Sequence, residues 1–128
     1  GGFKVQGKDV EAAKKLIDDA KALEAAGAFA CVLECVPAAL ASKITQELTT
    51  MATIGIGAGN GCDGQVLVCN DLLGVSDGFC PKFVKRYADI HSITVNAVKS
   101  YINEVKDRSF PAPEHTFKID DTVLEKLY

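Results

Sequence analysis

Phe29-Ala30-Cys31-Val32-Leu33-Glu34-Cys35-Val36-Pro37 is an apolar run with a carboxylate near its end. Gly27 stands before it and Pro37 closes it, and its β-branched and small residues predict a strand buried on both faces of a parallel sheet. Side chains alternate along a strand, so Glu34 shares a face with Ala30 and Val32, while Cys31, Leu33 and Cys35 point the other way. A carboxylate at the C-terminal end of such a strand is costly unless it is paired or used. Glu34 is therefore either a strand-end residue reaching water or a lysine, or a group that does chemistry.

On the N-terminal side, Asp9 is placed to cap a helix whose apolar residues Ala13, Leu16, Ile17, Ala20 and Leu23 recur at spacings of three and four. Gly27 suits the residue just beyond its end. On the C-terminal side, Pro37 opens a second helix, Ala38 to about Leu48, with Leu40, Ala41, Ile44 and Leu48 on one stripe. The order then repeats. Thr53-Ile54-Gly55-Ile56-Gly57 reads as a second strand, Asp63 as the cap of a short helix running to about Leu72, and Phe79-Cys80-Pro81-Lys82-Phe83 as a third strand weakened by its proline.

A long helix is expected from Asp89 or Ser92 to Asp107, with Val95, Val98, Ile102 and Val105 inward, and Pro111 and Pro113 stop it. The reading thus divides the chain into 1–110, a partial βα barrel or sheet, and 111–128, a tail with one short helix near Asp121 to Leu127. Strands alternating with helices through short loops form a parallel sheet, open or closed as a barrel, and both architectures gather ligands at the C-terminal ends of strands. Glu34 and the loop from Gly57 to Gly61 lie at such ends. That placement favours the functional reading of Glu34.

The 48% hydrophobic content of these 128 residues excludes disorder. A net charge of −3 leaves no basic footprint for nucleic acid or an anionic membrane. No apolar run approaches the roughly 20 residues of a membrane span, and no targeting segment opens the chain. Gly1-Gly2-Phe3-Lys4-Val5-Gln6-Gly7 reads like the middle of a loop, so the chain is expected to be a piece of a longer protein. The five cysteines, an odd number with no Cys-x-x-Cys pair, fit thiols in a reducing, intracellular compartment. Cys31, Cys35 and Cys69 should pack as small hydrophobes with no metal between them.

Gly59-Asn60-Gly61-Cys62-Asp63-Gly64 has the G-x-G-x-x-G spacing of a dinucleotide site. The alternative function is accordingly a small phosphate- or nucleotide-binding βα module using Gly57 to Gly64. Against it, Asp63 would oppose a phosphate, and the glycines equally allow a strand to turn sharply at a crowded barrel mouth. Lys82 and Lys85 beside Phe83 read as a solvated edge, and His91 and His115 as surface histidines.

Several blocks in order carry a likeness to a known family. They are Gly1-Gly2-Phe3-Lys4-Val5-Gln6-Gly7-Lys8, Ala22-Leu23-Glu24-Ala25-Ala26-Gly27-Ala28, Val32-Leu33-Glu34-Cys35-Val36-Pro37, Ile54-Gly55-Ile56-Gly57-Ala58-Gly59-Asn60, Asp63-Gly64-Gln65-Val66-Leu67-Val68 and Pro81-Lys82-Phe83. On these residues the chain resembles, nearly end to end, the C-terminal portion of the ketopantoate hydroxymethyltransferase (3-methyl-2-oxobutanoate hydroxymethyltransferase) family. The tail from Phe110 to Ile119 looks more like its eukaryotic members.

The resemblance implies a (βα)₈ TIM barrel of which this chain supplies about strands six to eight, assembled as a homo-oligomer, a decamer in the family. It implies transfer of a one-carbon unit from 5,10-methylenetetrahydrofolate to 3-methyl-2-oxobutanoate, giving 2-dehydropantoate on the route to pantothenate and coenzyme A, in the cytoplasm or mitochondrial matrix. By resemblance Glu34 is the proton acceptor. The family's Mg²⁺ ligands and its keto-acid-binding serine and lysine belong to earlier strands, so the chain alone is expected to be inactive. Ile56, Val66 and Val68 are expected to wall the substrate pocket.

Overall fold

The computed structural model describes residues 4–127, in two units that divide after Ala88. The first is built on a parallel three-stranded sheet in the order β1-β2-β3, with β1 at Ala30–Glu34, β2 at Ala52–Ile56 and β3 at Gly64–Gln65. Helix α1, Val10–Ala25, precedes the sheet, and α2, Ala38–Glu47, makes the crossover between β1 and β2.

The local signals act as their chemistry requires. The Asp9 carboxylate accepts the N–H of Ala12 at 2.8 Å and so caps α1. At the other end Gly27 takes φ +91, and the N–H groups of Gly27 and Ala28 return to the carbonyls of Glu24 and Leu23, closing a Schellman turn. Ala20 of α1 and Ala41 and Ile44 of α2 are buried with Leu33, Val36, Met51 and Ala58. Small residues on both helices let them lie close to the sheet.

The alternation along β1 is as expected, with Leu33 and Cys35 buried and Glu34 exposed. Burial on both faces is not. Val32 is 59% exposed, and its register partner Ile54 and the next pair, Glu34 and Ile56, share the same open side. The helices cover only the face that carries Leu33, Thr53 and Gly55.

Two expectations around the third strand are corrected. Residues 64 and 65, assigned to a helix from the sequence, form β3, and only Cys69–Leu72 are helical (α3). Phe79–Phe83 contains no strand. The cause lies in how the chain crosses from β2 to β3. The connection, residues 57–63, is far shorter than the dozen or so residues a parallel crossover ordinarily takes. It manages this by lying directly on α2: a Cβ on Gly59 would come within 2.4 Å of the Ala38 Cβ, and one on Gly61 within 2.8 Å of the Ser42 Cβ. Ala38 and Ser42 are four apart, hence stacked on one face of the helix. The glycines serve close backbone packing.

In the second unit α4 spans Ile90–Asp107, with the Asp89 side chain accepting from the Ser92 N–H. Val98, Ile102 and Val105 are exposed rather than inward, Val95 is half-buried, and α4 has no buried residue among those described. Phe110 packs edge-on to Tyr101 and against His115. A single helical turn, Pro113–His115, and then α5, Asp121–Glu125, follow. No helix of the described residues is long and apolar enough to cross a membrane.

Candidate active site

The C-terminal ends of β1 and β2 finish in step. Glu34 and Ile56 are register partners, and the residue after each, Cys35 and Gly57, has positive φ, +53 and +64. Left-handed backbone is ordinary for glycine but costs a β-carbon residue about 1–2 kcal/mol. Cys35 is held there from both sides: its N–H donates to the Ile56 carbonyl at 2.9 Å, and its own carbonyl accepts from the Gln6 N–H at 2.9 Å. The turn takes the chain off the sheet immediately after Glu34, leaving the carboxylate at the rim of the open face.

Of the residues singled out from the sequence, Glu34 and Ile56 stand side by side on that face. Val66 lies one residue past β3; its N–H bonds to the Gly55 carbonyl at 3.0 Å, extending the ladder, and alternation from Gly64 puts it on the same side as Ile56. Val68 is the N-cap of α3 and is exposed. The geometry thus gathers Glu34, Ile56 and Val66 along one rim, with Val68 two residues further along the chain.

The glycine loop does not form a phosphate site of the dinucleotide kind, because it leads into β3 at Gly64 and not directly into a helix N-terminus. Asp63 is committed elsewhere. Its carboxylate accepts the N–H of Thr53 at 2.8 Å and the Thr53 hydroxyl at 3.1 Å, and the same hydroxyl oxygen lies 2.7 Å from that of Thr45. Thr53 is wholly buried, and this chain of hydroxyls satisfies it. The nucleotide-module alternative loses its structural basis.

On the helix side of the strand ends lies a cavity of about 720 Å³. Cys35, Val36 and Pro37 form its floor, Gly57, Gly59 and Asn60 one wall, and Lys82 and Phe83 another. Glu34, Ile56, Val66 and Val68 are not among its lining residues. Phe83 packs on Gly57 so closely that a Cβ there would be 2.9 Å from the ring. Gln65, also at the cavity, donates from its amide to the Gly59 carbonyl at 2.9 Å and fastens the loop to β3. Sequence reasoning left Lys82 on a solvated edge; the only signal that could have moved it was its adjacency to Phe83.

The strongest electrostatic feature is structural. One oxygen of Glu24 accepts from the backbone N–H groups of Thr49, Thr50 and Met51, at 2.7, 2.6 and 3.0 Å, and from the Thr50 hydroxyl. These donors hold its carboxyl at about 2, well below the usual range. Burial and the nearby Cys62 push the Cys31 thiol up. All five cysteines are free, Cys35 is buried as expected, and Cys69 is exposed, contrary to expectation, because the single turn of α3 buries none of its residues. Among the described residues no three His, Cys, Asp or Glu side chains converge as metal ligands would.

A family model described as ketopantoate hydroxymethyltransferase matches residues 1–113. Proteins called 3-methyl-2-oxobutanoate hydroxymethyltransferase are similar along all 128 residues: 63% identical in Enterococcus faecalis, 59% in Clostridium novyi and 57% in Carboxydothermus hydrogenoformans. The chain covers 46% of each relative's length, so it spans about half of the proteins it matches. These bacterial sequences align through the tail as well, and the tail does not set the chain apart from bacterial members.

Proposed function

The chain belongs to the ketopantoate hydroxymethyltransferase family, and from that membership we propose that it is the C-terminal part of an enzyme transferring a hydroxymethyl group to 3-methyl-2-oxobutanoate. In this reading β1, β2 and β3 are strands six, seven and eight of a (βα)₈ barrel. Residues 1–110 belong to that barrel and 111–128 form its tail. The open face bearing Val32, Ile54, Glu34 and Ile56 is then the barrel interior, which accounts for apolar residues left uncovered on one side of a sheet.

The observation that carries the proposal is the position of Glu34. It stands at the C-terminal end of β1, on the interior side, next to its register partner Ile56. Barrel enzymes collect their catalytic groups at that end. Glu34 acts as the base that removes the proton from C3 of the keto acid, with Ile56, Val66 and Val68 as the apolar wall beside the isopropyl group. The left-handed turn at Cys35 fixes where the carboxylate sits.

The remaining chemistry balances without a further reagent. One C–H bond of the keto acid and both C–N bonds to the folate's methylene carbon break, one C–C bond forms, and water supplies the hydroxyl oxygen. The proton taken by Glu34 and the two from water end on the two folate nitrogens and the new hydroxyl. Magnesium, which the family resemblance implies, finds no fitting ligand set among the described residues. We further propose a homo-oligomer, and a cytoplasmic site of action supported by the free cysteines and the bacterial relatives; a mitochondrial site has no support among these relatives.

The test is transplantation. The chain replaces the matching segment of the Enterococcus faecalis relative, and formation of 2-dehydropantoate from 5,10-methylenetetrahydrofolate and 3-methyl-2-oxobutanoate is measured. Turnover within about tenfold of the parent is expected. A folded chimera with no turnover contradicts the proposal.

A further inference from the structure

We propose that residues 4–8, the irregular segment ahead of α1, form a strap that positions the Glu34 carboxylate, and that the backbone N–H of Gln6 does this through Cys35. The proposal rests on the reading of Glu34 as the base and deepens it by assigning that base a positioning residue. Cys35 takes the chain off the sheet immediately after Glu34, and its φ of +53 is strained for a residue with a β-carbon. Its N–H belongs to the peptide that joins it to Glu34, and the Ile56 carbonyl holds that peptide. Its carbonyl belongs to the next peptide, which the Gln6 N–H holds at 2.9 Å. With both peptides fixed, the rotation about Cys35 is fixed, and so is the backbone that aims Glu34. Without the Gln6 bond the second peptide is free to turn toward an unstrained conformation, and it pulls on the first.

The strap is anchored independently of that bond. Gly7 takes φ +64, and its backbone lies against one leucine from each helix: a Cβ there would come within 2.5 Å of Leu40 Cδ2 on α2 and 2.8 Å of Leu16 Cδ1 on α1. Both leucines pack on the buried core. Just beyond, Asp9 caps α1. On the other side, the Gln6 side-chain amide turns back to donate to the Lys4 carbonyl at 2.8 Å, so the contact with Cys35 is made by the backbone. A donor on a backbone already fixed needs little further ordering to hold its acceptor.

Two variants of the chimera isolate the N–H: Gln6→Ala keeps it and Gln6→Pro removes it. The readout is hydrogen exchange at C3 of 3-methyl-2-oxobutanoate in deuterated water without folate, with kcat and KM measured for each. Relative to Gln6→Ala, Gln6→Pro should lower kcat about tenfold, within the range that a misplaced reacting group costs, and should change KM less than about twofold. In a Glu34→Gln background the two should differ less than about twofold, because the strap acts through the carboxylate; a general loss of folded protein would lower both backgrounds alike. Gly7→Ala disturbs the strap at its anchor without removing a hydrogen-bonding group; it should lower kcat in the same direction, and it stands in for Gln6→Pro should proline prevent folding. Equal kcat for Gln6→Ala and Gln6→Pro, or the same factor lost with and without Glu34, would overturn the assignment. If Glu34→Gln alone leaves exchange at the unsubstituted rate, the base reading fails; if Glu34→Gln loses exchange and Gln6→Pro does not, only the strap fails.

Discussion

Cys35 donates its N–H to the carbonyl of Ile56 at 2.9 Å from a left-handed conformation, and this one bond ties the residue after Glu34 to Glu34's own register partner. Two strands that end in step, each in a residue of positive φ, produce a rim from which the carboxylate projects. A strained non-glycine residue persists only where its surroundings determine it. Here the bonds to Ile56 and Gln6 do so.

The partner position sets the first prediction. Gly57→Ala adds both the left-handed penalty and a methyl 2.9 Å from Phe83. Thermal unfolding of the chimera should show a loss of about 2 kcal/mol or more. An unchanged midpoint would contradict both the left-handed strain at residue 57 and the close packing of Phe83 on it.

Glu24 sets the second. Its folded pKa of about 2 lies below the ordinary value of 4.5, so its contribution is complete above the unfolded pKa and is lost as pH falls toward the folded one. In Glu24→Gln, the stability gap from the unsubstituted protein should be widest above about pH 5 and should close between about pH 4.5 and 2. Denaturant titrations at several pH values measure this, and a gap independent of pH would refute the role of the three backbone donors.

A third prediction concerns the buried hydroxyl. Thr53→Val keeps the shape but removes the hydroxyl that Thr45 and Asp63 share. Stability should fall by about 1–2 kcal/mol. Adding Asp63→Asn to it should cost less than the sum of the two single changes, because both break the same network. Strict additivity would separate the two residues.

Local signals were legible in the sequence and distant ones were not. Asp9, Gly27 and Pro37 act on neighbours a few residues away, and they marked the helix boundaries and hence β1 correctly. Asp63 looked like a helix cap because its real partner, Thr53, lies ten residues earlier on another element. Glu24 gave no hint of its role, since its donors are at 49–51. β3 was missed because two paired residues, one of them glycine, show no period, and the glycine pattern that hid it owes its spacing to Ala38 and Ser42 on α2. Glu34 stood out early because a charge at the end of an apolar run is visible in one dimension. Lys82 joined the cavity only through the fold.

The most direct measurement of the central claim is hydrogen exchange at C3 of 3-methyl-2-oxobutanoate in deuterated water, catalysed by the chimera without folate and followed by NMR. With Glu34→Gln, which keeps the shape of the rim and removes the base, the exchange rate should fall by at least about a hundredfold. Exchange by Glu34→Gln at the unsubstituted rate would show that another group takes the proton and that Glu34 is not the base.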